Sequence, residues 1–133
     1  YIPLPGLKNT SAETESIQSL KALMLADNLF LDQEFLLSKL VFHANLSETQ
    51  IRDILKASEY DNFKSFLNYQ RIQYATSEIE AGYLNKHAIY SLSKDSGFNS
   101  HQTFYRAFKA LKNQTPLAYS LQKGSVASNV SNT

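Results

Sequence analysis

From Ile17 to Leu121 the apolar residues recur at three- and four-residue steps, with only short breaks between runs. That spacing lines one stripe of a helix, whereas a strand would alternate every second residue. Four glycines and three prolines in 133 residues are too few for a sandwich or barrel made of many tight turns. The chain is therefore expected to be all-α. With 43% apolar residues it can bury a core, and its length suits one domain or two very small ones.

Local signals divide the helical stretch into about seven helices. Residues 1–10 (YIPLPGLKNT) hold two of the prolines and read as an extended lead-in, counted to residue 15. A chain opening at Tyr1 rather than methionine is expected to continue a longer one. Ile17, Leu20, Leu23 and Met24 form the stripe of a first helix. Asp32 is the expected N-cap of a second, carrying Phe35, Leu36, Leu40, Val41 and Ala44. Asn45 tolerates the left-handed conformation that ends a helix. Ser47 with Gln50 forms a capping box that starts a third helix, running to about Ala57.

A long fourth helix, from Asn62 to about Ala81, carries two apolar faces. Phe63, Phe66, Leu67 and Tyr74 lie on one, and Ile72, Ala75 and Ile79 on another, more than a quarter-turn away. A helix patterned in this way connects two bodies. The expected organisation is a first subdomain over 16–61, a connector over 62–82, a second subdomain over 83–123 and a disordered tail over 124–133.

The second subdomain repeats the plan of the first. A fifth helix with Ile89, Leu92 and Ser93 stops at Gly97, a natural left-handed terminator. Asn99 or Ser100 caps a sixth helix whose core side is expected to hold Phe104, Ala107, Phe108 and Leu111. Thr115-Pro116 starts a short seventh helix with Leu117 and Leu121. Leu40-Val41 before Asn45-Leu46-Ser47 parallels Leu92-Ser93 before Gly97-Phe98-Asn99-Ser100. In both places a compact residue stands four before a turn residue that accepts positive φ, as in a helix-turn-helix.

The outer side of the sixth helix presents Asn99, His101, Gln102, Tyr105, Arg106 and Lys109 beside the capping Ser100. Glutamine suits the N6/N7 edge of adenine and arginine the O6/N7 edge of guanine, so Gln102 and Arg106, four apart, are suited to reading duplex DNA. On the third helix the corresponding side carries Thr49, Gln50, Arg52, Asp53 and Lys56 after Ser47. Asp53 is out of place near phosphates, although it can accept from the cytosine amine.

Charge follows the same division. Residues 1–83 carry 7 Lys+Arg against 11 Asp+Glu, a net of −4, while residues 84–133 carry 6 Lys+Arg against the single acid Asp95, a net of +5. The overall +1 conceals a basic end suited to a polyanion.

Other chemistry finds little support. The chain has no cysteine, and His43, His87 and His101 lie far apart, so no metal site is expected. Without a glycine-rich phosphate loop or a nucleophile elbow, neither an enzyme nor a cofactor is expected. No apolar run approaches the roughly 18 residues of a membrane span, and the start does not read as a signal peptide. Phe63, Phe66, Phe104 and Phe108 read as core rather than as a platform for single strands.

The segment RIQYA (71–75) followed by IYSLSKDSGFNSHQTFYRAFKALKNQTPLAY (89–119) resembles the C-terminal DNA-binding domain of AraC/XylS-type transcription regulators. The likeness covers about Leu29 to Leu121, and its most specific block is GFNS-x-x-TFYRAFK. Upstream, LFLDQEFLLSKL resembles the opening of this domain in members fused to membrane-bound sensory parts. The resemblance implies a bacterial regulator, an activator, whose two recognition helices enter successive major-groove segments of double-stranded DNA. It also implies RNA polymerase as a partner, homodimerisation through a region upstream, and a cytoplasmic domain that such a region could tether to the inner membrane. Gln102 and Arg106 match the family's base-reading positions in the second unit, and Thr49, Arg52 and Asp53 match those in the first. Val41, Asn45, Ser93, Asn113 and Ser120 stand where the family usually has Ala, Gly, Ala, Gly and Arg. The alternative to DNA binding is a helical protein-interaction module using the same faces.

Overall fold

The computed structural model describes residues 11–122, with side chains from residue 15 onward. The described residues form seven α-helices and two single 3-10 turns, with no strand among them. We number the helices α1 (Ser11–Ala26), α2 (Leu37–Ala44), α3 (Glu48–Ala57), α4 (Phe63–Glu80), α5 (Ile89–Asp95), α6 (His101–Lys112) and α7 (116–122). The turns span Leu29–Leu31 and Tyr83–Asn85. Residues 11–15, assigned to the lead-in by their sequence, are helical. The tail expected over 124–133 lies outside the described residues.

The chain divides into two compact units at Leu67/Asn68. In the first, α1 packs on α2 and α3, burying Ile17, Leu20, Met24, Leu40, Ile51 and Leu55. Phe30, Phe35, Tyr60 and Phe66 are buried as well, and the Tyr60 and Phe66 rings meet edge-on at 5.0 Å. The second unit is built on Ile72, Ala75, Ile79, Leu92, Phe98, Phe104, Phe108 and Tyr119. Its rings form a chain, Phe98–Phe104 at 5.4 Å, Phe104–Phe108 at 5.8 Å and Phe108–Tyr119 at 5.6 Å. The Arg71 guanidinium lies over the Phe98 ring, 5.6 Å from its centre.

Helix α4 runs unbroken from Phe63 to Glu80, started by Asn62, whose Oδ1 accepts from the Ser65 N–H at 2.8 Å. Phe66 and Leu67 are buried near its start, and Ile72, Ala75 and Ile79 enter the core of the second unit. Phe63 and Tyr74 are only half-buried.

Two expectations need correction. Helix α2 begins at Leu37, one turn later than a cap at Asp32 would place it, and its N-cap is Leu36. The Asp32 carboxylate instead accepts from the Glu34 N–H at 2.9 Å and from Lys39 Nζ at 3.0 Å. Such a local side-chain turn competes with helix formation, and it leaves Leu36 59% exposed. Near the other end of the chain, Leu111, expected on the core side of the sixth helix, is exposed, as are Leu117 and Leu121. Leu111 lies a turn beyond Phe108, the last α6 core residue. In α7 the inward side is taken by Pro116 and Tyr119, which puts Leu117 and Leu121 on the outside at ~100° per residue.

Candidate nucleic-acid interface

The turn between α5 and α6 has a defined hydrogen-bond pattern. The Gly97 N–H donates to the Lys94 carbonyl at 3.0 Å and the Phe98 N–H to the Ser93 carbonyl at 3.1 Å. With Gly97 at φ +97°, this is a Schellman ending, which satisfies carbonyls that α5 would leave open. The Ser93 side chain is buried and donates to the Tyr90 carbonyl at 2.7 Å. A hydroxyl in place of the usual alanine is thereby accommodated. Ser100 then caps α6, its Oγ accepting from the Thr103 N–H at 3.1 Å.

Phe104 and Phe108 anchor α6 in the core, and this fixes which side faces out. Gln102, Arg106 and Lys109 are exposed. At steps of four and three they fall within roughly 60° of arc at ~100° per residue, so they form one stripe. Asn99 is exposed just ahead of the helix. Tyr105 and His101 are half-buried along one flank of the stripe, their rings 5.1 Å apart and edge-on. Helix α6 carries no acidic residue, and neither Arg106 nor Lys109 makes an ion pair among the described residues. Lys112 is engaged elsewhere, donating from Nζ to Gln73 Oε1 at 2.9 Å.

Asp95, the lone acid of the basic half, accepts from the Tyr83 hydroxyl at 2.5 Å. Burial and then this bond push the Tyr83 phenol above its usual range. Tyr119 donates to Glu80, and burial followed by that bond pushes its pKa up to about 12. Both carboxylates are thus paired with phenols in the scaffold.

The face of α3 is organised differently. Thr49, Arg52, Asp53 and Lys56 are exposed, with Ile51 and Leu55 buried behind them. Two other candidates are occupied at the helix start. The Gln50 N–H donates to Ser47 Oγ at 3.1 Å, and the Ser47 N–H donates to Gln50 Oε1 at 2.9 Å, closing the capping box. Arg52 is also engaged, its Nε 3.3 Å from Glu48 Oε2 one turn back. Acids and bases therefore alternate on this face.

Sequence reasoning passed over Tyr90. It lies off the α5 core stripe, 61% exposed, with its ring stacked on His101 at 5.5 Å and 22°. The available signal was a bulky aromatic beside, rather than on, the apolar stripe of a helix that precedes a recognition helix.

A family described as a helix-turn-helix domain matches residues 40–122, well over half of the chain. The chain belongs to this family, of the AraC type. Solved structures agree in fold. The C-terminal domain of the two-component response regulator yesN from Fusobacterium nucleatum is 20% identical with a TM-score of 0.65, over 80% of this chain and 98% of that one. The C-terminal domain of AraT, a response regulator from Geobacillus stearothermophilus, is 16% identical with a TM-score of 0.64, over 85% and 86%. A Listeria innocua protein of unknown function is 22% identical with a TM-score of 0.63, over 78% and 93%. A comparison with proteins of curated function gives no match.

For an AraC-type helix-turn-helix chain, the coarse function is DNA-binding transcription regulation. Two of its departures from the family pattern have a backbone explanation. Asn45 and Asn113 occupy the left-handed region at φ +57° and +60°, the conformation glycine would supply. Val41 is half-buried in α2. Among the described residues, no group of His, Asp and Glu side chains could hold a metal, and no helix is long and apolar enough to cross a membrane.

Proposed function

We propose that this AraC-type domain binds double-stranded DNA sequence-specifically, with α6 as the principal reading helix. The observation that carries this reading is the acid-free stripe of Gln102, Arg106 and Lys109 on a helix anchored by Phe104 and Phe108. Arg106 addresses a guanine and Gln102 an adenine in the major groove, each contributing ~1–3 kcal/mol of discrimination. Lys109, farther along the stripe, meets a phosphate. Helix α3 enters the neighbouring major-groove segment, one turn of ~34 Å along the duplex, with Thr49, Arg52, Asp53 and Lys56 facing it. Ser47, Gln50 and Ser100 hold the two helix starts and contribute through geometry. Within the full-length regulator the domain acts as an activator and meets RNA polymerase while on DNA.

Salt dependence tests the reading. Duplex binding through several phosphate contacts is expected to weaken linearly on a log–log plot, with a slope of about −0.9 per contact. Affinity for every duplex that stays flat between low and moderate salt overturns it, and so does undetectable binding to a random-sequence duplex pool.

A further inference from the structure

The flank of the α6 stripe carries a second arrangement. His101 opens the helix, and its ring lies between Tyr90 of α5, stacked at 5.5 Å, and Tyr105 of α6, edge-on at 5.1 Å. Its Nδ1 is buried without a hydrogen-bond partner, while the residue as a whole is only half-buried. A proton on Nδ1 would be a buried donor with nothing to accept it, which is costly. With Nδ1 shut away, the nitrogen left to meet a partner from outside is Nε2, across the ring. Tyr90 is 61% exposed, so its ring contributes little to the core of the unit, yet it covers one face of the imidazole. His101 lies ~100° from Gln102 around the helix, at the edge of the reading stripe, where backbone rather than base edges is met. The first helix of such a unit crosses that same backbone.

We infer that Tyr90 is a positioning residue for His101. It holds the imidazole against Tyr105 so that Nε2–H donates to a phosphate oxygen of the duplex. The inference rests on the DNA-binding reading given above. Phosphate contact makes the contribution independent of sequence, and stacking makes it a property of the Tyr90 ring rather than of its hydroxyl.

Binding by the full chain is measured on a duplex selected from a random pool and on a scrambled duplex, for Y90A, Y90F, H101A and the Y90A/H101A double variant. H101A is expected to weaken binding about tenfold on both duplexes, as for a lost hydrogen bond to a charged group. Y90A is expected to lose severalfold, Y90F to stay within about twofold of the unaltered chain, and Y90A to cost nothing further once His101 is gone. Unchanged thermal unfolding and circular dichroism of Y90A separate positioning from damage to the fold. A Y90F loss equal to that of Y90A overturns the inference, as do additive Y90A and H101A losses or an H101A loss confined to the selected duplex. If the unaltered chain binds neither duplex, the DNA-binding reading itself fails, a result distinct from all of these.

Discussion

Helices α3 and α6 are framed alike and loaded differently. Each starts at a serine whose Oγ accepts from the N–H three residues on, Gln50 in α3 and Thr103 in α6. Each buries two large apolar residues one turn apart, Ile51 with Leu55 and Phe104 with Phe108. On the exposed side, α3 sets Glu48 and Asp53 among Arg52 and Lys56, whereas α6 carries Arg106 and Lys109 with no acid. The same scaffold thus yields one face with cancelling charge and one that attracts a polyanion. Framing makes a helix presentable, and the side chains placed on it decide how strongly it grips.

The largest expected effect contrasts the two arginines. Arg106→Ala should cost ~1–3 kcal/mol in binding and relax the preference at one base pair. Arg52→Ala should cost less than ~1 kcal/mol, because Arg52 already spends part of its charge on Glu48. Titration of both variants on the selected duplex, and on its single-base-pair variants, measures the contrast. An Arg52 loss equal to or larger than that of Arg106 breaks it.

Next comes alkali, which should act on the second unit. Tyr119 is held neutral by burial and by its bond to Glu80, with a pKa pushed up to about 12. A folded-state pKa above the unfolded value of ~10 favours the protonated form in the fold. This contribution is complete below pH ~10 and is lost as pH rises through about 12. Tyr83, also raised, adds in the same direction. Loss of helical signal above pH ~10 should shrink in Tyr119→Phe, which has no phenol to ionise. An identical alkaline midpoint in that variant removes the asymmetry.

The two turns supply a smaller contrast. Gly97 at φ +97° and Asn45 at φ +57° do equivalent jobs. Gly97→Ala should destabilise by ~1–2 kcal/mol, the cost of left-handed backbone for an L side chain. Asn45→Gly should change stability by less than ~1 kcal/mol, since asparagine already tolerates the region. Thermal unfolding of the two variants reports both values. Equal and small effects would mean that the α5–α6 turn relaxes without glycine.

Much of this architecture was legible because local rules act alone there. Asn45, Ser47 with Gln50, Gly97 and Ser100 each announce a helix end through their own backbone or side-chain chemistry, and each is found in that role. The two-sided pattern of α4 could be read because Phe66 and Leu67 stand out of phase with Ile72, Ala75 and Ile79. What escaped depended on competition or on non-local contact. Asp32 had a second option, the turn to Glu34, which a spacing rule does not weigh. The inward side of α7 goes to Pro116 and Tyr119, whose hydroxyl finds Glu80 39 residues away. At the interface, periodicity could assign Gln102 and Arg106 to one face. It could not show Arg52 paired to Glu48 or Tyr90 lying over His101.

The smallest effect is the most diagnostic, because binding and stability should move in opposite directions. Glu48 lies in the first turn of α3 and pairs with Arg52 at 3.3 Å, both side chains well exposed. A negative charge there favours the helix by ~0.3–1 kcal/mol through the dipole, and the exposed pair adds ~0–1 kcal/mol. Near phosphates the same charge repels, and it holds a guanidinium that could otherwise meet the duplex. Glu48→Gln keeps the shape and removes the charge. The variant should unfold at a slightly lower temperature while binding DNA about two- to fivefold more tightly, with a log–log salt slope steeper by up to about one contact. A gain in affinity with no change in slope would mean that Arg52 stays off the phosphates and only the repulsion was relieved. A loss of affinity would mean that α3 needs its acid to read DNA, and the view of its face as charge-cancelled and weakly gripping would be wrong.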